Sequence, residues 1–267
     1  MERTIEIIQS SALPLFWALL KMTIPLTLIS FALGMVLALI TALARISNNR
    51  ILNGIFFLYV WIFRGTPLLV QLFIVFFGLP SVGIQMDAWT AAILTFSLNT
   101  GAYASENIRS ALLAIPQGQY ESAASLGMSR WQILYRIIAP QAFKIALPPL
   151  SNNFVSLVKD TSLAASITIV EIFMTAQRIA ARTYEPLLLY SMVAVYYLVF
   201  CTFLNYLQSV KIEPDWMING GVPELKKQLD LNDAVPEISG TILFREDYLN
   251  KPQTQQAVSY LQSRWGS

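Results

Sequence analysis

The stretch that decides the fold is QYESAASLGMSRWQILYRIIAPQAF, residues 119–143, a polar and well-punctuated segment inside a mostly apolar chain. Gly127 follows Leu126 at a position where helices often end in a left-handed residue. Ser129 and Gln132 have the spacing of a capping box, in which two side chains satisfy free backbone donors at a helix start. The pattern predicts a helix, a glycine hinge and a second helix.

The second predicted helix places Trp131, Leu134 and Ile138 on one face and ends at Pro140, so the helix pair occupies about 116–140. Two interpretations fit this pair. In the first, it lies on the membrane or against the ends of neighbouring helices. In the second, it is a docking site for a soluble partner, because its small residues let another protein approach the backbone closely.

The composition around this stretch indicates a polytopic membrane protein. The chain has 267 residues, of which 55% are hydrophobic and 13% charged, and its mean hydropathy is +0.53. One cysteine and no histidine exclude disulfide frameworks and Cys/His metal sites, so we expect no metal site. The net charge of +2 does not indicate a nucleic-acid partner, and the first residues lack the pattern of a cleavable signal peptide.

Apolar runs of the length that crosses a bilayer recur along the chain. A hydrocarbon core of about 30 Å needs about 20 apolar residues in a helix, and lipid excludes unpaired backbone. The sequence therefore predicts an all-α fold, a polytopic membrane protein with five transmembrane helices at about 14–44, 51–80, 88–112, 145–175 and 186–209.

Basic residues are unevenly distributed between the two sides of these spans. With the N-terminus outside, the cytoplasmic segments carry Arg45, Arg50, Arg130, Arg136, Lys144 and Lys211. The external segments carry only Arg3, Arg178 and Arg182. The distribution predicts an external N-terminus, a cytoplasmic C-terminus and a cytoplasmic helix pair.

Five residues of the opening stretch keep a fixed spacing: Glu121, Ala123, Gly127, Ile137 and Pro140. With small departures at Ser122 and Ala139, the stretch resembles the EAA loop of permease subunits of bacterial ATP-binding-cassette importers. That pattern is Glu-Ala-Ala, three residues, Gly, nine residues and Ile-x-Leu-Pro.

Three further segments look like the polar amino-acid uptake branch of that family. They are RGTPLLVQL (64–72), AYASENIRSALLAIPQGQYESA (102–123) and LPPLSNNFVSLVKDTSLA (147–164). The resemblance covers about residues 12–209 and implies a type I importer permease-like fold in the inner membrane. The substrate among the polar amino acids, such as Lys, Arg, His, Gln, Glu or cystine, is left open.

The resemblance implies that the helix pair couples the spans to a separate cytoplasmic ATPase. The residues that it assigns to ATPase coupling are Glu121, Ser122, Ala123, Ala124, Gly127 and Arg130. The chain has no phosphate-binding loop of the G-x-x-x-x-G-K-[ST] type, so we expect no catalytic residues, no cofactor on this chain and Mg-ATP in the partner. A second permease subunit, identical or paralogous, and an extracytoplasmic amino-acid-binding protein complete the implied assembly.

Polar residues inside the spans are candidates for the substrate pathway. Arg64 and Thr66 adjoin Pro67, which breaks the second span, and broken helices bind substrates in other transporters. The alternative is a packing kink at which Arg64 pairs with free backbone carbonyls.

The third span carries Asn99, Tyr103 and Glu106 at helical spacing, and these residues form a predicted polar stripe on the pathway. The alternative for Glu106 is an internal ion pair with Arg109, three residues further on.

Lys159, Asp160, Thr161 and Ser162 form a polar cluster in the fourth span. Successive helical residues point about 100° apart, so Lys159 and Asp160 do not pair ideally within one helix. At least one needs a partner in another span, a second subunit or a zwitterionic ligand. The alternative is that both hold this span to its neighbours.

We therefore predict a transmembrane permease domain over 1–209 and a polar cytoplasmic tail of unknown role over 210–267. From Lys211 onward the chain carries six Lys or Arg and eight Asp or Glu. The tail is interpreted as an appendix or, alternatively, as a brace on the ATPase. The rival functions are an ion-coupled secondary amino-acid transporter and a membrane scaffold subunit that transports nothing.

Overall fold

The computed structural model describes residues 2–211, and every regular element in that range is a helix. The predicted all-α class is therefore confirmed. The tail predicted over 210–267 lies outside the described residues, apart from its first two.

The first helix is longer than the predicted span over 14–44. Helix α1 (Glu2–Ala18) continues through a π turn (Leu19–Thr23) into α2 (Ile24–Ile46), and together they make one helix of 45 residues. At 1.5 Å per residue this helix is about 68 Å long, whereas the hydrocarbon core is about 30 Å thick. Its N-terminal turns therefore extend beyond the segment that the apolar run predicted.

The second predicted span is broken where the sequence indicated. Helix α3 (Arg50–Gly65) ends before Pro67, and α4 (Leu68–Phe73) begins directly after it. A π turn (Ile74–Gly78) and a 3₁₀ turn (Leu79–Val82) extend α4, and the two parts meet at 106°. The run at 51–80 is thus two short helices at a sharp angle rather than one straight span.

Helix α5 (Ala88–Leu113) matches the third predicted span and lies against α2 at the centre of the described bundle. A Cβ atom added at Gly34 of α2 would lie 2.9 Å from the Cβ atom of Thr100 in α5. Small residues at such positions let two membrane helices approach closely, and this contact explains why the interface is rich in alanine, glycine and threonine.

The helix pair at 116–140 is continuous with the fourth predicted span, which corrects the prediction that it ends at Pro140. Helix α6 (Gln117–Ser125) is separate, but α7 (Arg130–Ile133) runs through a π turn (Leu134–Ile138) into α8 (Ala139–Asp160). Pro140 lies in the first turn of α8, where its missing N–H is tolerated because the π turn has already changed the hydrogen-bond pattern.

The predicted apolar face of that helix is also wrong in part. Ile138 is fully buried as expected, but Trp131 is 75% exposed. Ile133 is buried instead. In a π turn, residues five positions apart share a face, so Ile133 lies on the same side of the helix as Ile138.

The remaining elements finish the described bundle. A 3₁₀ turn (Thr161–Ile167) follows α8, and α9 (Ile172–Thr183) then leaves at an angle of 51°. The predicted fourth span, 145–175, thus lies within a longer, bent unit. Helix α10 (Pro186–Lys211) coincides with the fifth predicted span.

Within residues 2–211, length and apolarity identify two continuous helices that can cross a membrane, Glu2–Ile46 and Pro186–Gln208. The α3–α4 unit and the unit from α7 to α9 also qualify if each bent pair is one span. Helix α5 is about 39 Å long, enough to cross, but its Thr, Ser and Asn residues lower its apolarity. The membrane-spanning character is clear, and the count of five stays a prediction.

Candidate functional site

A polar cavity of about 430 Å³ lies where the start of α4, the middle of α5 and the end of α8 meet. It is lined by Thr66, Pro67, Leu68, Asn99, Thr100, Tyr103, Asn153, Ser156, Leu157 and Asp160. Three elements that are distant in sequence thus bring four of the predicted pathway residues, Thr66, Asn99, Tyr103 and Asp160, to one place.

The broken helix at the cavity is stabilised by Gln71, a residue that the sequence analysis missed. Its Nε2 atom donates to the carbonyl oxygens of Phe63 (2.8 Å) and Thr66 (3.0 Å) and to Thr66 Oγ1 (2.8 Å). Its Oε1 atom accepts from Asn99 Nδ2 at 3.0 Å. Gln71 therefore satisfies the carbonyls that the break frees. One polar residue in the apolar run LLVQL, one turn after the proline, is the signal that could have identified it.

Arg64 does not satisfy the free carbonyls, contrary to the structural alternative considered for it. Its guanidinium lies 5.2 Å from the centre of the Tyr103 ring, within the range of a cation–π interaction. Because Tyr103 lines the cavity, this contact holds Arg64 beside the cavity rather than inside its wall.

Asp160 is the carboxylate in the cavity wall. It is half-buried, and within residues 2–211 its side chain has no hydrogen bond and no ion pair. The Asn153 Nδ2 atom, also in the wall, is buried without a hydrogen-bond partner in the same range. An unpaired carboxylate among membrane helices is costly, so this cavity is suited to a polar or cationic group.

The other three residues of the predicted cluster lie outside the cavity wall. Lys159 is exposed on a neighbouring face of α8 and makes no ion pair with Asp160. Thr161 is buried and donates to the carbonyl of Val158 at 2.6 Å. Ser162 donates to the carbonyl of Lys159 at 2.8 Å, so both hydroxyls satisfy backbone where α8 passes into the 3₁₀ turn.

The Glu106 carboxylate forms ion pairs with two arginines. Arg109 Nη2 lies 2.9 Å from Glu106 Oε2, and Arg45, at the end of α2, pairs with the other carboxylate oxygen. The Arg45 guanidinium also lies 5.2 Å from the centre of the Phe57 ring in α3. Glu106 does not line the cavity, and its contacts agree with the internal ion pair that was the alternative to a pathway role.

The coupling segment, residues 117–138, has the hinge that its sequence predicts. Gly127 has φ +74°, its N–H donates to the carbonyl of Ala124, and the N–H of Met128 donates to that of Ala123. These two bonds are a Schellman motif, which ends α6. The capping box between Ser129 and Gln132 then starts α7.

The residues predicted for ATPase coupling are mostly on the outer surface of this segment. Ala123 is buried in the apolar cluster that includes Ile133 and Ile138. The other five residues are exposed: Glu121, Ser122, Ala124, Gly127 and Arg130. Large apolar side chains nearby are also exposed: Leu126 at 81%, Trp131 at 75% and Tyr135 at 76%. Exposed apolar residues clustered on a segment between spans are typical of a contact with another protein or with the membrane surface.

Comparison with known proteins identifies the family. Residues 34–210 match the family described as "Binding-protein-dependent transport system inner membrane component". The chain belongs to this family. The predicted resemblance to importer permeases is confirmed, and as a family member the chain is an inner-membrane component; which sides its termini occupy stays a prediction.

Several relatives of this family member are permease proteins. It is 48% identical over 206 residues to the L-cystine transport system permease protein TcyB of Bacillus subtilis (strain 168), covering 77% of this chain and 88% of the relative. It is 35% identical over 198 residues to the glutamine transport system permease protein GlnP of Escherichia coli (strain K12), covering 73% of this chain and 90% of the relative.

Two solved structures of ABC transporters share the fold of this chain. The crystal structure of an amino acid ABC transporter with histidines superposes with a TM-score of 0.72 at 32% identity, covering 76% of this chain and 95% of that chain. An inward-facing MetNI methionine ABC transporter superposes with a TM-score of 0.59 at 18% identity, covering 73% and 92%, which supports the fold alone.

Proposed function

We propose that this chain is the membrane-spanning permease subunit of an ATP-driven importer for amino acids. The observation that carries the proposal is the cavity at the helix break, in which the Asp160 side chain has no hydrogen bond and no ion pair among residues 2–211. Family membership and the named amino-acid permeases among its relatives support it.

Asp160 pairs with the ammonium group that every free amino acid carries. Arg64, held on Tyr103 beside the cavity, is a cation that can pair with the substrate carboxylate. Asn99, Thr66 and Asn153 add hydrogen-bonding groups to the wall, and a side chain of moderate size fits within about 430 Å³. The unwound segment at Thr66 can face the substrate because Gln71 satisfies its carbonyls.

This proposal gives Thr161, Ser162 and Glu106 structural roles and leaves Lys159 outside the cavity wall. Thr161 and Ser162 shape the end of α8, and Glu106 ties α2 to α5. Lys159 is exposed and has no assigned contact with the substrate.

ATP hydrolysis takes place in a separate cytoplasmic ATPase subunit, which holds Mg-ATP and receives the coupling segment. An extracytoplasmic binding protein delivers the amino acid, and a second permease subunit, identical or paralogous, flanks the pathway. The N-terminus is external and the C-terminus cytoplasmic. ATP-driven closure of the ATPases draws the coupling segments together and opens the cavity outward, and hydrolysis returns it to the inward-open state.

Reconstitution tests this proposal. The permease, its ATPase and its binding protein are placed in proteoliposomes, with the amino acid chosen by a thermal-shift screen of the binding protein. Labelled substrate should accumulate with Mg-ATP supplied to the ATPase side and should be insensitive to a protonophore. Uptake that needs a proton gradient and ignores ATP would support an ion-coupled transporter instead, and no uptake would support a scaffold.

A further inference from the structure

A side-chain hydrogen bond joins the coupling segment to the fourth span. Gln141 Nε2, in the first turn of α8, donates to Gln119 Oε1 in α6 at 2.5 Å. The same amide group donates to the carbonyl of Ile137 at 2.8 Å, so a second contact fixes the orientation of the Gln141 side chain. Both glutamines are partly buried.

The apolar packing beside this bond does not by itself fix the position of α6 on the helix that runs from α7 into α8. Ala123 is 2% exposed and belongs to the apolar cluster of Ile133 and Ile138. A space of about 400 Å³ nevertheless remains between α6 and Ile137. A methyl group beside such a space gives little resistance to sliding, whereas an amide–amide hydrogen bond is directional and defines one position.

Helix α8 connects this bond to the cavity without a break. It runs from Ala139 to Asp160, and the rise from Gln141 to Asp160 is about 28 Å. Asn153 and Ser156, which also line the cavity, lie on the same helix. Pro148 and Pro149 lie inside this helix, and a displacement of its cytoplasmic end is passed toward the cavity wall along one continuous helical backbone.

We propose that Gln119 and Gln141 form the link that transmits movement of the coupling segment to the cavity, and that both act as positioning residues. This inference rests on the proposed function. With the bond intact, α6 and α8 move together, and ATP-driven movement of α6 shifts Asp160. Without it, α6 slides at the contact that its Ala123 makes with the apolar cluster, and less substrate is transported per ATP hydrolysed.

The test measures substrate transported per ATP hydrolysed in proteoliposomes with Gln119→Ala, Gln141→Ala and the double variant. Each single variant should lower this ratio about two- to tenfold, the factor that one side-chain hydrogen bond corresponds to. The double variant should lose no more than either single one, because all three lack the same bond. The pair Gln119→Glu with Gln141→Lys should restore the ratio through an ion pair.

Gln9→Ala is the control, because it is also a glutamine-to-alanine change and Gln9 lies exposed in α1, outside the cavity and the coupling segment. It should leave the ratio unchanged. Unfolding temperatures in detergent monitor the fold, and Gln119→Ala, in the short helix α6, still tests the link if Gln141→Ala does not fold. Wild-type ratios in both single variants, or losses that multiply in the double variant, would overturn the link alone. A wild-type complex without ATP-driven uptake would instead count against the proposed function.

Discussion

At the scale of single residues, the two acids of the central helices differ in their surroundings. Glu106 has a guanidinium partner for each of its carboxylate oxygens. Asp160, in the cavity wall, has none within the described part of the chain. An internal ion pair that is already complete has little to gain from a substrate, whereas an unpaired carboxylate gains a charge partner when an ammonium group arrives.

Replacing Asp160 with Asn tests this assignment. The substitution keeps the shape and removes the charge, so the substrate ammonium loses a charge-assisted hydrogen bond. We expect the rate of uptake at low substrate to fall about 10- to 100-fold, as measured by initial rates in proteoliposomes.

Glu6→Gln is the matched control, because it is also an acid-to-amide change and Glu6 lies exposed in α1. Its uptake should equal that of the unmodified chain. Equal uptake by the Asp160→Asn variant would show that Asp160 does not bind the substrate.

Gln71→Leu tests the role of the residue that stabilises the break. It removes the Gln71 donor from the carbonyls of Phe63 and Thr66, and only the longer bond from Asn99 Nδ2 (3.4 Å) remains on Phe63. Each lost hydrogen bond costs about 0.5–1.5 kcal/mol, so the unfolding temperature in detergent should fall. The exposed Gln9→Leu should not change it, and an unchanged temperature for Gln71→Leu would mean that the break is held in another way.

The residues of the cavity were only partly predictable from the sequence. Asn99 and Tyr103 share a helical face, so periodicity was enough to group them. Thr161 and Ser162 were assigned to the pathway by their neighbourhood with Asp160, but their hydroxyls bond to backbone where α8 changes to a 3₁₀ turn. Hydroxyl groups in helices often bond locally, and the sequence does not show which ones do.

At the scale of elements, the coupling segment is a short helix on a glycine hinge, followed by a helix that enters the membrane unbroken. The hinge was predictable because Gly127 and the capping box are local signals. The continuation through Pro140 was not, because a π turn depends on packing that a sequence pattern does not show. The second helix of the segment is therefore continuous with α8 rather than a separate unit.

Gly127→Pro tests the hinge. Proline fixes φ near −65°, whereas Gly127 has φ +74°, and proline also removes the N–H that donates to Ala124. We expect the spans to fold, with unchanged helical content in circular dichroism, while ATP hydrolysis continues and uptake per ATP falls at least about tenfold. Unchanged uptake would refute a coupling role for the hinge.

At the scale of the whole molecule, the family match ends at residue 210, and the tail predicted over 210–267 lies almost wholly beyond it. The long helices were predictable in position from apolar runs, but the 106° angle at the break and the extended first helix were not, since both depend on contacts between elements. The cavity depends on that break, because α4 starts at its wall.

A chain that ends at Lys211 tests the tail. If the tail is an appendix, this chain should retain the full rate of ATP-driven uptake, because the cavity and the coupling segment both precede it. A loss of uptake with normal membrane insertion, measured in the same proteoliposomes, would favour the alternative that the tail braces the ATPase.

The most direct test of the account is a structure of the assembled complex with its ATPase in a lipid nanodisc. The account predicts that α6 lies in a cleft of the ATPase subunit, with Glu121 and Leu126 in contact with it. A structure in which α6 contacts only lipid headgroups or its own chain, with no ATPase bound there, would contradict it.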